Sequence, residues 1–488
     1  MTGALLPAAE AGAFDLEGMR LVLISLANDV TCVGIRTLAA VLEGQGAVVD
    51  VVLLPDSGSR DVPMEDWVEG VLERVRRAHA VGLSVMSIDV PRARKLSAIL
   101  RDEDIGPLVW GGPYPTLRPR ECAAHSDWVC VGDGELFLAE LLGALKGDRD
   151  PVLPALGVAT RPCLDAHVDT APRLPLPRTW VLHEGRVEPS TVEALRASMA
   201  TNPPSRDTNT LAYETVASRG CPHACTFCGS TGLDQVSPEK LFRRRGVASV
   251  LAELREVLEA LPFVTGIGFA DDNFLARPLK EIRAFSEGYA VDVGLPLIAI
   301  GSPATITEAR LRSLVDAGLV RIKMGIQSGS DPTTDVLGRA RLNSYLDRAL
   351  EAIATHNDRM LPPRFDILVD LPFEGLDDRL ATLRMIAALP RPYRLELNSL
   401  RLMEGTPLHD VAVSDGWHTP DMSVNFKRIA PMYTNLVLAM CREGRLPGRV
   451  VRALADPRVA VPLSTGVGDR GLRGLWGLAR RARQVMAR

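Results

Sequence analysis

A chain of 488 residues with a formal net charge of −4 is long enough for at least two cores, because a single core stops growing near about 250–300 residues. Its acids and bases are interspersed, which excludes a broad basic surface for nucleic acid. No apolar run approaches the roughly 18 residues of a membrane span, the N-terminus carries no basic leader, and the eight cysteines form no disulfide-like framework, so the expected compartment is the reducing cytoplasm.

Residues 1–150 alternate apolar runs with amphipathic segments. Strands are expected at Arg20–Leu26, Val48–Leu54, Ala80–Ser87, Leu108–Gly111 and Trp128–Val131, and helices at Val33–Gln45, Met64–His79, Pro91–Arg101 and Glu135–Lys146. Near-continuous Val/Leu/Ile strands suit a parallel sheet buried on both faces. Five such units predict a doubly wound, Rossmann-like α/β domain that binds ligands at the carboxyl ends of its strands. Residues 151–212 are broken by proline, as in Ala171-Pro172-Arg173-Leu174-Pro175-Leu176-Pro177, and read as a linker.

A second α/β series follows over residues 213–408. Its strands are expected at Glu214–Ser218, Gly266–Ala270, Leu297–Gly301, Arg321–Ile326, Phe365–Leu371 and Leu395–Leu402, with helices such as Ala248–Ala260 and Ser344–His356. Six βα repeats fit a partial (β/α)6 barrel better than a closed eight-stranded one. Residues 409–488 weaken into short helices, ending in an arginine-rich tail, Leu472–Arg488, expected to be a solvated helix.

The sharpest chemical signal is Cys221-Pro222-His223-Ala224-Cys225-Thr226-Phe227-Cys228. Cysteine thiolates are the normal ligands of iron–sulfur clusters, and a four-iron cubane held by three of them leaves one iron open. A structural zinc would need a fourth ligand, for which His223 is the nearest, and normally a second Cys-x2-Cys pair, which the chain lacks. Unreacted buried thiols usually occur singly.

The Cys-x3-Cys-x2-Cys spacing resembles the signature of the radical S-adenosylmethionine (SAM) superfamily. The resemblance implies that Cys221, Cys225 and Cys228 hold a [4Fe–4S] cluster whose open iron chelates SAM, and that one electron, from an external donor such as flavodoxin or ferredoxin, splits SAM into methionine and a 5′-deoxyadenosyl radical. It gives Phe227 the place of the aromatic that packs by the cluster. Asp271 and Asp272, in Gly268-Phe269-Ala270-Asp271-Asp272-Asn273, stand where the family often has a carboxylate for the SAM ammonium; helix capping is the competing role. Gln327 and Ser328, in Gly325-Ile326-Gln327-Ser328-Gly329-Ser330, stand where polar side chains reach the ribose or carboxylate of SAM, with Gln327 replacing the usual Glu. Ser302 is a further candidate for the carboxylate. Phe365–Leu371 holds the place of an adenine-contacting segment, and Glu404-Gly405-Thr406-Pro407-Leu408 resembles the motif that closes the barrel.

Trp110-Gly111-Gly112-Pro113-Tyr114-Pro115-Thr116 and Asp127-Trp128-Val129-Cys130-Val131-Gly132-Asp133-Gly134-Glu135 resemble the cobalamin-binding domain fused ahead of many radical SAM domains. Gly111, Gly112, Tyr114, Gly132, Gly134 and Glu135 are the implied contacts, the glycines because a corrin needs close backbone approach. Ser84 and Ser87 are placed to meet the nucleotide tail. The fingerprint Asp-x-His-x-x-Gly is absent; Asn28-Asp29-Val30-Thr31-Cys32-Val33-Gly34 occupies its place, which implies cobalamin without a histidine beneath cobalt. Together the two resemblances imply a cobalamin-dependent methyltransferase that acts on an unactivated carbon of a small molecule, with secondary metabolism as the setting. The alternatives are a cyclase or rearrangement enzyme using the same cofactors, and a non-catalytic cluster or zinc protein.

Overall fold

The computed structural model describes residues 14–26, 32–54, 63–147, 158–160, 169–176, 178–183, 186–236, 242–417 and 429–465. The chain divides into two compact units, one of Met1–Pro222, Gly232–Asp272 and Gly288–Pro296, the other of His223–Thr231, Asn273–Glu287 and Leu297–Arg488.

The first unit carries an eight-stranded sheet of β1 (Arg20–Ser25), β2 (Val48–Leu53), β3 (Ala80–Ser84), β4 (Leu108–Gly111), β5 (Trp128–Val131), β6 (Val158–Thr160), β7 (Thr179–His183) and β8 (Arg186–Pro189), in the order β6-β5-β4-β3-β1-β2-β7-β8. Every pairing is parallel except that of β7 with β8. Strands such as Leu-Val-Leu-Ile are buried on both faces, with Val22, Ile24, Val52 and Trp110 wholly out of solvent. Connecting helices include Val33–Glu43, Val90–Asp102 and Glu135–Lys146. Strand order reverses between β1 and β3, the place where doubly wound sheets open a crevice.

Three expectations shift here. The stretch read as a linker supplies β6, β7 and β8, which widen the sheet at both edges; strands this short, flanked by proline, leave no periodicity to read. β3 stops at Ser84 rather than Ser87, because Asp89 accepts the Met86 N–H at 3.3 Å and turns the chain. The helix expected over Met64–His79 becomes a 3-10 turn, Met64–Asp66, and a helix, Val68–Val75, since the His79 ring accepts the Arg20 N–H at 2.9 Å and already belongs to the entry of β3.

The first unit also holds β9 (Ala212–Thr215), the antiparallel pair β10 (Ser218–Arg219) and β11 (Arg243–Arg244), and β12 (Gly266–Phe269), which runs parallel to β9. The strand expected over Glu214–Ser218 is therefore split. The carboxylate of Asp271, at the end of β12, accepts the Ala217 N–H at 2.9 Å and the Ser218 hydroxyl, pulling the chain out of the sheet at Val216 and Ala217.

The second unit holds β13 (Leu297–Gly301), β14 (Leu319–Gln327), β15 (Arg364–Val369) and β16 (Arg394–Ser399), four consecutive parallel strands. Glu308–Ala317, Leu346–Ala354 and Leu376–Ala388 are helices between them. Along β15 and β16 burial alternates: Phe365, Ile367, Leu395 and Leu397 are buried, while Arg364, Asp366, Arg394 and Glu396 lie on the half-open face. That face is neutralised in pairs, Lys323 with Asp366 at 3.3 Å and Arg364 with Glu396. The C-terminal region is helical as expected, with Pro407–Ser414, Tyr433–Met440, Gly448–Leu454 and Pro457–Ser464. The arginine-rich tail lies outside the described residues.

Candidate functional site

In the first unit a cavity of about 590 Å³ opens at the carboxyl ends of β1, β3, β4 and β5. Ser84, Gly111, Gly112, Gly132, Gly134 and Glu135 all line it. Ser87 is exposed and outside the lining, and Tyr114 packs into the apolar core of the sheet. The cavity walls are cut back to backbone where they need to be. Gly112 has φ +99°, and a Cβ there would stand 3.2 Å from the Val85 nitrogen and 3.3 Å from the Ser84 hydroxyl; a Cβ on Gly134 would stand 3.2 Å from the Leu38 side chain.

Sequence reasoning missed several members of this lining: Ser25, whose Oγ is 3.2 Å from the Sγ of Cys32 in the same wall, buried Asp89, and Asp133 and Arg219. Residues 28–31, where a cobalt-ligating histidine would have been expected in other cobalamin proteins, lie outside the described residues. Asp133 and Glu135 form a clasp with the β10–β11 hairpin: Arg219 bonds Asp133 at 3.2 Å and Glu135 at 2.6 Å, and Arg243 bonds Asp133. Glu135 is 2% exposed, and its second carboxylate oxygen has no hydrogen-bond partner. A buried acceptor left open at a cavity wall suits a ligand rich in amide N–H groups, such as the side chains of a corrin. Glycine-cut walls and an open acceptor together fit cobalamin.

The same cavity is lined from the other side of the first unit by Val216, Ser218, Ala270 and Asp272. The two aspartates at the end of β12 differ sharply. Asp271 is 1% exposed and spends both oxygens on Ala217 and Ser218, whereas Asp272 is exposed and faces the cavity. Of the pair expected to serve the SAM ammonium, Asp272 is the one placed for a ligand.

In the second unit the loop carrying Cys225 and Cys228 is tied down by backbone bonds. Thr226 N–H reaches Leu337 O at 3.1 Å, the Thr226 hydroxyl reaches Val336 O at 2.7 Å, and Leu408 N–H reaches Thr226 O at 2.9 Å. Gly338, at φ +65°, is needed because a Cβ would stand 3.0 Å from Ala224 O. Phe227 packs against the leucine cluster of Leu337, Leu371, Leu400, Leu402 and Leu408, the core-filling role. Cys225 is buried and Cys221 and Cys228 are half-buried; no disulfide joins the described cysteines. Among the described residues no group of three His, Cys, Asp or Glu side chains is already gathered around one metal position. Cubane thiolates each bind a different iron, and Cys225 and Cys228, on the anchored part of the loop, are donors of that kind.

His223, inside the loop, accepts at Nε2 from the amide of Asn273 at 3.1 Å and lies 2.9 Å from the Ser302 hydroxyl, which is itself 3.1 Å from Thr305 Oγ1. A donating amide at Nε2 selects the neutral tautomer with its proton on Nδ1. Burial, then the positive charge of Arg339, lowers the pKa of this imidazole. The hydroxyl of Ser302 is thus already engaged. Gln327 has φ +75°, at a bulge where β14 shifts register against β15, and its amide lies back over Gly325, where a Cβ would be 2.5 Å away. Ser328 is buried, with its hydroxyl 3.2 Å from Glu374 and 3.1 Å from Thr382. Its hydroxyl braces the strand end.

Residues 19–142 match the B12 binding domain and residues 215–386 match the radical SAM superfamily. The chain thus carries a B12-binding domain followed by a radical SAM domain. Its cofactors are accordingly a [4Fe–4S] cluster, SAM and cobalamin. The chain is similar to an uncharacterized methyltransferase of Pyrococcus horikoshii, 24% identical over 313 residues that cover 63% of each chain, so it spans under two thirds of that relative. The fold is similar to TsrM, a radical SAM methyltransferase from Kitasatospora setae solved with tryptophan substrate and a SAM analogue, at TM-score 0.62 and 17% identity, covering 85% of this chain and 78% of that one. It is similar too to the cobalamin-dependent SAM radical enzyme OxsB, solved with aqua-cobalamin and SAM, at TM-score 0.57 and 18% identity over 87% of this chain and 66% of that one. At these identities the likeness is one of fold. No helix among the described residues is long and apolar enough to cross a membrane.

Proposed function

We propose that this protein is a cobalamin-dependent radical SAM methyltransferase that methylates an unactivated carbon of a small molecule in bacterial secondary metabolism, working in the cytoplasm with an external one-electron donor such as flavodoxin or ferredoxin. The observation that carries the reading is the single cavity lined both by the glycine turns after β4 and β5 and by Asp272 after β12. The bound cofactors supply a nucleophilic cobalt for methyl transfer and a carbon-centred radical for hydrogen removal. The chain's own residues do the rest. Cys221, Cys225 and Cys228 hold three irons and leave the fourth open. Asp272 pairs with the SAM ammonium, and Asp271 fixes Asp272 by tying β12 to the chain after β9. Glu135 accepts a hydrogen bond from a corrin amide, while Arg219 holds Glu135 in place. Apolar residues such as Leu23, Leu38 and Leu138 in the lining keep water from the reacting groups.

The test needs no substrate. The full chain is reconstituted anaerobically with iron, sulfide and hydroxocobalamin, then given SAM and a one-electron reductant. S-adenosylhomocysteine together with 5′-deoxyadenosine supports methyl transfer. 5′-Deoxyadenosine alone favours a cyclase or rearrangement enzyme using the same cofactors, and neither product from iron-loaded protein overturns the reading.

A further inference from the structure

Arg339 is 5% exposed. One arm of its guanidinium donates to Cys225 Sγ at 3.3 Å and another to Gly325 O at 2.6 Å, while its Nε proton has no acceptor. Among the described residues its hydrogen-bonding partners are this sulfur and this carbonyl, neither of them a carboxylate. A buried guanidinium without an anion is costly, because desolvation is not repaid by one carbonyl and one sulfur contact. The cost disappears if Cys225 is a thiolate bound to iron, since the cation then faces a negatively charged centre across a charge-assisted hydrogen bond.

We infer that Arg339 is the counter-ion of the cluster and that it raises the cluster's reduction potential, an inference resting on the radical SAM reading above. The step it governs is [4Fe–4S]2+ plus one electron, from a donor of the flavodoxin or ferredoxin class, giving [4Fe–4S]+. No bond forms or breaks, and Arg339 keeps its protons. The reduced cluster carries one more negative charge, so a fixed cation beside it stabilises the reduced form more than the oxidised one. Hydrogen bonds to the sulfurs act in the same direction. Three residues converge on this reading: Gly338 lets the chain pass over Ala224, Leu337 accepts from Thr226, and Arg339 follows directly, so the segment that anchors the cysteine loop also delivers its charge.

The experiment is an electron paramagnetic resonance redox titration of the reconstituted full chain, alongside iron analysis. Wild type must first hold four irons; if it does not, the radical SAM reading itself fails. Arg339→Met should keep the iron and shift the equilibrium toward the oxidised cluster by at least tenfold, about 59 mV for one electron. Arg339→Lys, which keeps the charge and loses the fork, should shift it less. A fully loaded Arg339→Met protein with an unchanged midpoint overturns the inference. If Arg339→Met loads no iron, the Lys variant decides: restored iron supports a counter-ion, and a Lys variant equally devoid of iron marks Arg339 as a structural prop and overturns it.

Discussion

At the carboxyl ends of β4 and β5 the cavity wall is made by Gly111, Gly112, Gly132 and Gly134, positions whose value lies in lacking a side chain. In the loop from His223 to Cys228 backbone bonds fix the chain, but the chemistry is carried by side chains: thiols, the imidazole held by Asn273 and Ser302, and the guanidinium of Arg339. The contrast follows from the two cofactors. A corrin is large and largely neutral, so its site is made by clearing space and leaving backbone and a few acceptors at the wall. An iron–sulfur cluster is small, charged and covalently ligated, so its site is made by donors and counter-charge.

The comparison breaks most abruptly at the ligands. Replacing any one of Cys221, Cys225 or Cys228 by Ala should remove most of the iron absorbance and all 5′-deoxyadenosine formation, while corrinoid retention persists because the glycine walls are untouched. A triple variant that still cleaves SAM would end the cluster assignment.

The converse change is Gly112→Val. At φ +99° a β-branched residue is strained, and its Cβ meets Val85 and Ser84. Corrinoid binding should fall at least tenfold, read as corrinoid absorbance retained through desalting, with iron content unchanged. In the wild type, electron paramagnetic resonance of bound cob(II)alamin should lack nitrogen superhyperfine splitting from an axial base. Normal corrinoid retention by Gly112→Val would move the site elsewhere.

A smaller effect separates the two aspartates. Losing a charge-assisted hydrogen bond costs about 1.5–3 kcal/mol, so Asp272→Ala should weaken SAM binding by roughly ten- to a hundredfold in equilibrium dialysis, with the cluster intact. Asp271→Ala should act instead on stability, because it frees the Ala217 N–H and the Ser218 hydroxyl. Equal SAM affinity in wild type and Asp272→Ala would leave the pair as a turn-forming device.

Local pattern carried the parts of this molecule that are themselves local. Leu108–Gly111, Trp128–Val131, Glu135–Lys146 and Leu297–Gly301 stand where hydrophobic runs and periodicity put them, and the cysteine spacing and glycine turns are contiguous strings. What escaped depends on partners far along the chain. Asp271 breaks the strand at Ala217 from 54 positions away, Arg219 meets Asp133 across 86, and Arg339 reaches Cys225 across 114. Nothing at Arg339 itself distinguishes it from the chain's other arginines; its meaning comes from burial and from the sulfur it touches. Ser302 and Ser328 illustrate the reverse: their motifs were legible, but both hydroxyls are engaged by neighbours remote in sequence.

The mildest expected change concerns the brace beneath Ser328. Glu374 accepts the hydroxyls of Ser328 at 3.2 Å and Thr333 at 3.0 Å. Burial pushes its carboxyl above the usual range, with the two hydroxyls pulling the other way and Asp378 adding to the rise. A carboxyl whose pKa is raised by folding holds its proton more tightly in the folded chain than in the unfolded one. Its contribution to stability is therefore fully present below the ordinary carboxylate range and is lost as pH rises through the raised value. Glu374→Gln keeps an oxygen to accept both hydroxyls and cannot ionise. The melting temperature of the variant relative to wild type should thus climb as pH rises through and above the ordinary carboxylate range, with the cluster loop and the corrinoid cavity unaffected. A difference that stays flat, or falls, across that range would mean that the hydroxyls of Ser328 and Thr333 hold Glu374 ionised, and that the brace behaves as a buried anion site.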